Sequence, residues 1–227
     1  MRVETQSCKN FNHPEFVLDL ESEALSVHAG VLLRSIESLV AKGEVLRPGE
    51  TFQFGWLTLQ IRSFDADCLT LFEPDMRSLP IEYVPGANTA IRHMMTQLFT
   101  LDSFGIARAT MRIPNMHQTV MVCDRFATTP VFFLTRNEPI AHQDDSGWYM
   151  GCMDPDHDHD TRENLTCITL YEAFVKRNDI HQWLIFPTET KVFLNRANPP
   201  KVWIGDEKFA LQAGSFVEEM FKKDCVK

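Results

Sequence analysis

From Cys152 to Asp160 the chain reads Cys-Met-Asp-Pro-Asp-His-Asp-His-Asp. Carboxylates and imidazoles alternate there, beside a thiol. Three kinds of chemistry use such residues. The first is metal ligation, because Asp and His are ligands and alternate loop residues can converge on one ion. The spacing is not that of a calcium-binding EF-hand loop. Counted from Asp154 the sixth position is His159, and counted from Asp156 it is Thr161, where glycine is required. A solvated polar loop accounts for the same composition, so the sequence reading assigns no metal ligands and no cofactor.

The second chemistry is nucleophilic catalysis by Cys152 with His157 or His159. A reactive cysteine needs a hydrogen-bonded base, and nearness in sequence does not supply one. Ser146-Gly147 is not part of a GxSxG elbow. His13, His28, His93, His117, His142 and His181 form no signature, and neither GxGxxG nor GxxxxGK[ST] occurs. The sequence reading is therefore a non-enzyme. Its alternative is a metal-binding or hydrolytic enzyme that uses the Asp/His loop.

The third chemistry is recognition of another protein. Asp144, Asp145, Asp154, Asp156, Asp158, Asp160 and Glu163 face one basic neighbour, Arg162, in the same stretch. Carboxylates steer a basic partner, and aromatic side chains supply the buried anchors of an interface. Trp148 joins the seven carboxylates as a candidate partner-binding residue. The competing reading makes Trp148 a core anchor and the carboxylates a solvated face.

Composition sets the frame. The chain has 227 residues, 44% of them hydrophobic, including 17 Phe, which is enough for packed cores. A net charge of -9 disfavours direct contact with nucleic acid or an anionic membrane, since phosphate contacts need clustered Lys and Arg. Cys8, Cys68, Cys123, Cys152, Cys167 and Cys225 are scattered without a CxxC pair, as expected of reduced thiols. No leader-like apolar stretch and no membrane-spanning run is expected, which implies a cytoplasmic protein.

The elements that hold the Asp/His loop can be read from periodicity. Phe16 to Leu20 is a short strand. Ser22 to Lys42 carries apolar residues at helical spacing, with Gly43 at its end. Thr51 to Phe64 reads as a strand with a bulge at Gly55, paired with Cys68 to Phe72. Asn88 to Leu101 is a second helix. Thr119 to Cys123, Val131 to Arg136 and Trp148 to Met150 are strands, the last leading into the acidic loop. Leu165 to Lys176 is open between strand and helix. Trp183 to Phe186 and Lys191 to Leu194 read as a hairpin, and Phe209 to Lys223 as a terminal helix. The whole predicts an α+β protein of two small lobes, each a mainly antiparallel sheet packed with helices. The expected domains are 12–106 and 118–227, joined at Ala107 to Gln118.

The run Val120-Met121-Val122-Cys123, then Arg136, then Asp144-Asp145-Ser146-Gly147-Trp148 with Gly151 and Asp154, resembles the Imm33 family of bacterial immunity proteins. Leu165, Leu170, Pro187 and Val192-Phe193 fall about where the family has downstream apolar and proline positions. The resemblance covers residues 118–196, and the stretch with Gly49-Glu50-Thr51 and Gly55-Trp56 looks like the extension that precedes such domains in longer members. The His-Asp alternation departs from the simpler acidic tract of the family. The resemblance implies a cytoplasmic protein that neutralises a cognate toxin of a type VI or similar secretion system by tight binding. Against a basic nuclease, the acidic loop would act as a phosphate mimic.

Overall fold

The computed structural model describes residues 1–225, with side chains through Lys223. The chain divides into two compact units, Met1–Met95 and Thr96–Lys227, each with its own mixed sheet. The expected two-lobed α+β class is the observed one. The division falls inside a helix, Asn88–Ser103, whereas the sequence reading put the link at Ala107 to Gln118.

The first unit contains β1 (Arg2–Glu4), β2 (Glu15–Asp19), α1 (Ser26–Ala41), β3 (Thr51–Phe54), β4 (Leu57–Ser63), β5 (Cys68–Pro74), β6 (Tyr83–Pro85) and the start of α2 (Asn88–Ser103). Its sheet runs β1-β2-β5-β4-β3, with β6 also on β5. Only the β2–β5 pair is parallel among these strands. Helix α1 buries Ala29, Leu32, Leu33, Ile36 and Val40, the stripe its spacing predicted. One sequence expectation needs correction here. Glu23–Ala41 is 19 residues with a mean hydropathy of 1.3, long and apolar enough to cross a membrane by length and composition. Its buried stripe and the exposed Val27 and Val31 are those of an amphipathic helix on a sheet. Gly55 is not a bulge. It lies in the Gly55-Trp56 connection between β3 and β4, with φ of 59° and Phe54 paired to Leu57.

The second unit contains the end of α2, then β7 (Thr119–Cys123), β8 (Val131–Arg136), β9 (Asp145–Cys152), β10 (Leu165–Thr169), α3 (Leu170–Lys176), β11 (Thr190–Asn195), β12 (Asn198–Ile204), β13 (Glu207–Phe209) and α4 (Phe216–Cys225). The sheet order is β10-β7-β9-β8-β11-β12-β13, and β7–β9 is its parallel pair. Leu165 to Lys176 resolves into strand then helix. Thr169 provides the switch, since its hydroxyl accepts from Glu172 N while Glu172 accepts from Thr169 N, a capping box.

Two expectations fail. Trp183 to Phe186 is not a strand. It follows a 3-10 helix, Asn178–Trp183, and all four side chains are fully buried, so the apolar run carried no periodicity to tell helix from strand. Strand β11 pairs with β8 and β12 instead. The terminal helix begins at Phe216 rather than Phe209, because residues 207–209 add a strand and Gly214 takes a φ of 71° before the helix.

His181 is expected to contribute acid sensitivity to this unit. Its Nδ1 lies 2.7 Å from Asn178 O, its ring packs edge-on against Phe174, and burial pulls its pKa below the usual histidine value. A folded-state pKa below the unfolded one, near 6.5, means the neutral ring is favoured by folding. Stability from this residue is complete above pH 6.5 and lost as pH falls below it. The expected result is a smaller drop in unfolding midpoint between pH 7.5 and 5.5 for His181→Gln than for the parent. Equal drops would assign the acid sensitivity elsewhere.

Candidate functional site

Strands β7 and β9 run parallel, with Val122 opposite Met150. Parallel neighbours finish at the same edge of a sheet, so Cys123 at the end of β7 and Cys152 at the end of β9 come together. Cys152 N donates to Cys123 Sγ at 3.2 Å. The chain then leaves β9 and folds the Asp/His loop back over that edge. Cys152 Sγ is 3.1 Å from His157 Nδ1 and 3.3 Å from His159 Nε2. The two imidazoles meet edge to face with centroids 4.7 Å apart. One ligand-type atom from each of Cys123, Cys152, His157 and His159 lies within 4.8 Å of the others.

Three members of this cluster are closed off from solvent, and His159 is half-buried. Cys123 and Cys152 are 2% and 1% exposed, and the His157 side chain is 3% exposed. His157 Nε2 sits 2.9 Å from Asp124 Oδ1, near but without the alignment of a hydrogen bond. Burial lowers the pKa of His159, with His157 adding to the effect, and burial raises that of Cys123. The Tyr149 hydroxyl is buried without a hydrogen-bond partner. Its pKa is pushed up to about 12, first by burial and then by Cys123, Cys152 and Asp160. A nucleophilic cysteine needs both a base and access to substrate. Cys152 has imidazoles in contact but no access.

The carboxylates of the sequence reading divide into two groups. Asp145 is occupied structurally, accepting from Ile140 N and Gly147 N, each at 2.9 Å. The others are at the surface. Asp144 is exposed, and its backbone oxygen receives Thr119 N. Asp154 pairs with Arg125 and accepts from Asp156 N. That backbone donor, followed by Arg125, holds its pKa below the usual carboxylate range. Asp158 accepts from Thr161 Oγ1 and Asp160 N, which lowers its pKa likewise. Asp156, Asp160 and Glu163 are exposed. Asp154 and Asp158 therefore stay ionised throughout the neutral range.

Trp148 corrects the sequence reading. It is 2% exposed, and its Nε1 donates to Leu184 O at 3.2 Å, so it anchors the core and offers no surface to a partner. The Asp145-Ser146-Gly147-Trp148 segment is the start of β9 rather than a free turn. Gly147 is required there. Its φ is 76°, and a Cβ would lie 2.2 Å from Asn137 O. Arg136, 3% exposed, stacks 5.3 Å from the Trp148 ring. Its guanidinium donates to the carbonyls of Ser146, Arg112, Leu184 and Phe186. Burial lowers its pKa to about 10, so it remains charged at neutral pH.

Residues 97–205 match the model of the Imm33-like domain. The second unit of this chain therefore contains a stretch similar to the Imm33-like domain. The match is wider than the 118–196 resemblance and starts within α2, where buried Gln97 donates to His181 O at 2.8 Å. No curated protein and no solved structure matches the chain.

This stretch also presents aromatics that sequence reasoning missed. Phe133 and Phe193 face each other across β8 and β11, with centroids 6.3 Å apart. Tyr149 lies 5.7 Å from Phe133, and Trp203 lies 5.3 Å from Phe193. Val131, Met153, Phe193, Trp203, Lys191 and Lys201 line a groove of about 580 Å³ on this face. Met153 directly precedes the acidic loop, and is 46% exposed. Strand alternation was the available signal for these residues. Phe132, Leu134 and Arg136 point inward on β8, which turns Phe133 outward.

Proposed function

We propose that this chain is an immunity protein that neutralises a cognate toxin by binding it tightly. The match of residues 97–205 to the Imm33-like domain carries this reading. The surface chemistry supports it. The acidic loop borders the groove at Met153, so charge for steering adjoins apolar area for anchoring. The contact is assigned to Asp154, Asp156, Asp158, Asp160 and Glu163 together with Phe193 and Trp203, in place of Trp148. A basic nuclease delivered by a type VI or similar system fits this charge, and a cytoplasmic site of action follows from that role. The hydrolytic alternative has less support, because Cys152 is closed off from any substrate.

Converting Asp154, Asp156, Asp158 and Asp160 together to Asn tests the charge role. Association with the toxin should slow about tenfold at low salt and lose most of its salt dependence. An unchanged association rate and salt slope would remove the loop from the binding mechanism.

A further inference from the structure

We propose that Cys123, Cys152, His157 and His159 bind one zinc ion, which fastens the acidic loop to the ends of β7 and β9. The donor set is the first reason. Two thiols and two imidazoles are the ligands of tetrahedral structural zinc. Zinc–sulfur and zinc–nitrogen bonds of about 2.3 and 2.1 Å give tetrahedral edges of roughly 3.3 to 3.8 Å. Cys152 Sγ stands 3.1 and 3.3 Å from the two ring nitrogens, and all four ligand atoms lie within 4.8 Å of one another.

The scaffold is the second reason. Both cysteines end adjacent parallel strands of the same sheet, so their positions are fixed by the backbone. Gly151 clears room for His159, since a Cβ there would meet His159 Cε1 and the Phe133 ring at 2.9 Å. The outer groups suit a bound cation as well. Cys152 N already donates to Cys123 Sγ, and Asp124 stands 2.9 Å from the far nitrogen of His157, where a metal-bound imidazole places a carboxylate.

The loop itself is the third reason. Its four aspartates bury little, yet His157 within it is 3% exposed at the side chain. Zinc bound to two thiolates and two neutral imidazoles forms an uncharged centre. Each thiol gives up its proton to solvent when the metal enters. Four protein ligands fill the tetrahedral shell and leave no position for a substrate or an activated water, so the site is structural rather than hydrolytic. The inference does not rest on toxin binding. It concerns what orders the loop.

The test is metal content of the full chain, purified without a polyhistidine tag. Stoichiometric zinc is expected, and cobalt substitution should give the absorption of a tetrahedral thiolate site. His159→Gln, a change at a half-buried ring, should weaken zinc binding at least a hundredfold. Asp124→Asn should weaken it 10- to 100-fold. The Asn variant of Asp154, Asp156, Asp158 and Asp160 should keep its zinc in full. The proposal is overturned by protein free of zinc and cobalt, or by zinc that persists in His159→Gln. It is also overturned by zinc lost with the four aspartates, or by an intact mass two hydrogens low, which would mean a Cys123–Cys152 disulfide. Should His159→Gln fail to fold, the cobalt spectrum of the parent chain still decides.

Discussion

Arg136→Met is expected to destabilise the second unit by about 3–5 kcal/mol. The guanidinium is the donor for the carbonyls of Ser146, Arg112, Leu184 and Phe186, drawn from three separate stretches of chain. Methionine keeps the bulk and the contact with Trp148 but donates nothing. Each buried acceptor left unsatisfied costs about 1–3 kcal/mol. Partial relaxation brings the sum to about 3–5 kcal/mol, comparable with breaking a buried ion pair. A domain is stable by about 5–15 kcal/mol, so this loss is most of it at the lower end. Arg136→Lys should recover only part, because an ammonium cannot fan out to four oxygens. Chemical denaturation is the readout, with a lowered midpoint and an unchanged slope. A loss under 1 kcal/mol would mean that water replaces the guanidinium at little cost. By comparison, Arg125→Ala removes an exposed pair with Asp154 and should change stability by less than about 1 kcal/mol.

Gly147→Ala should be nearly as damaging, for steric reasons. The backbone at this position has φ of 76°, and the added methyl would sit 2.2 Å from Asn137 O, a main-chain atom that cannot swing aside. The conformation alone costs an L-residue about 1–2 kcal/mol. The clash adds to that, for a total of about 3 kcal/mol or more. Gly214→Ala is the matched control. Its φ is 71°, but nothing lies within 4 Å of the added carbon, so only the conformational part should appear. A difference of about 2 kcal/mol between the two variants is expected from thermal or chemical unfolding. Equal effects would show that the segment from Asn137 to Gly147 shifts freely to admit a side chain.

These two residues lie in the part of the chain whose sequence was most distinctive, and the reasons for that were only half legible. Periodicity placed α1 well, because it buries one apolar stripe. Strands β7 and β8 were legible from short apolar runs with turn residues around them. The Asp/His loop was visible as a composition. Its meaning was not, because Cys123 lies 29 residues from Cys152 and only the parallel pairing of β7 with β9 joins them. A hint was present, since Thr-Val-Met-Val-Cys and Trp-Tyr-Met-Gly-Cys both end an apolar strand on cysteine. Trp148 was misjudged because an aromatic beside a charged loop suits a surface and a core anchor equally well. The hydrogen bond from Trp148 Nε1 to Leu184 O, between residues 36 apart, settles it for the core. The apolar run from Trp183 to Phe186 lacked alternation of any period, so its hairpin assignment had no physical discriminator.

The central claim is that this chain protects by binding a toxin. The most direct measurement is co-expression of the full chain with the product of the neighbouring gene, scored by cell growth and by co-elution of the two proteins. The account predicts restored growth and a single stable complex, with Asp154, Asp156, Asp158 and Asp160 to Asn variants slower to form it. Growth arrest with no complex, despite soluble and folded protein, would contradict the claim.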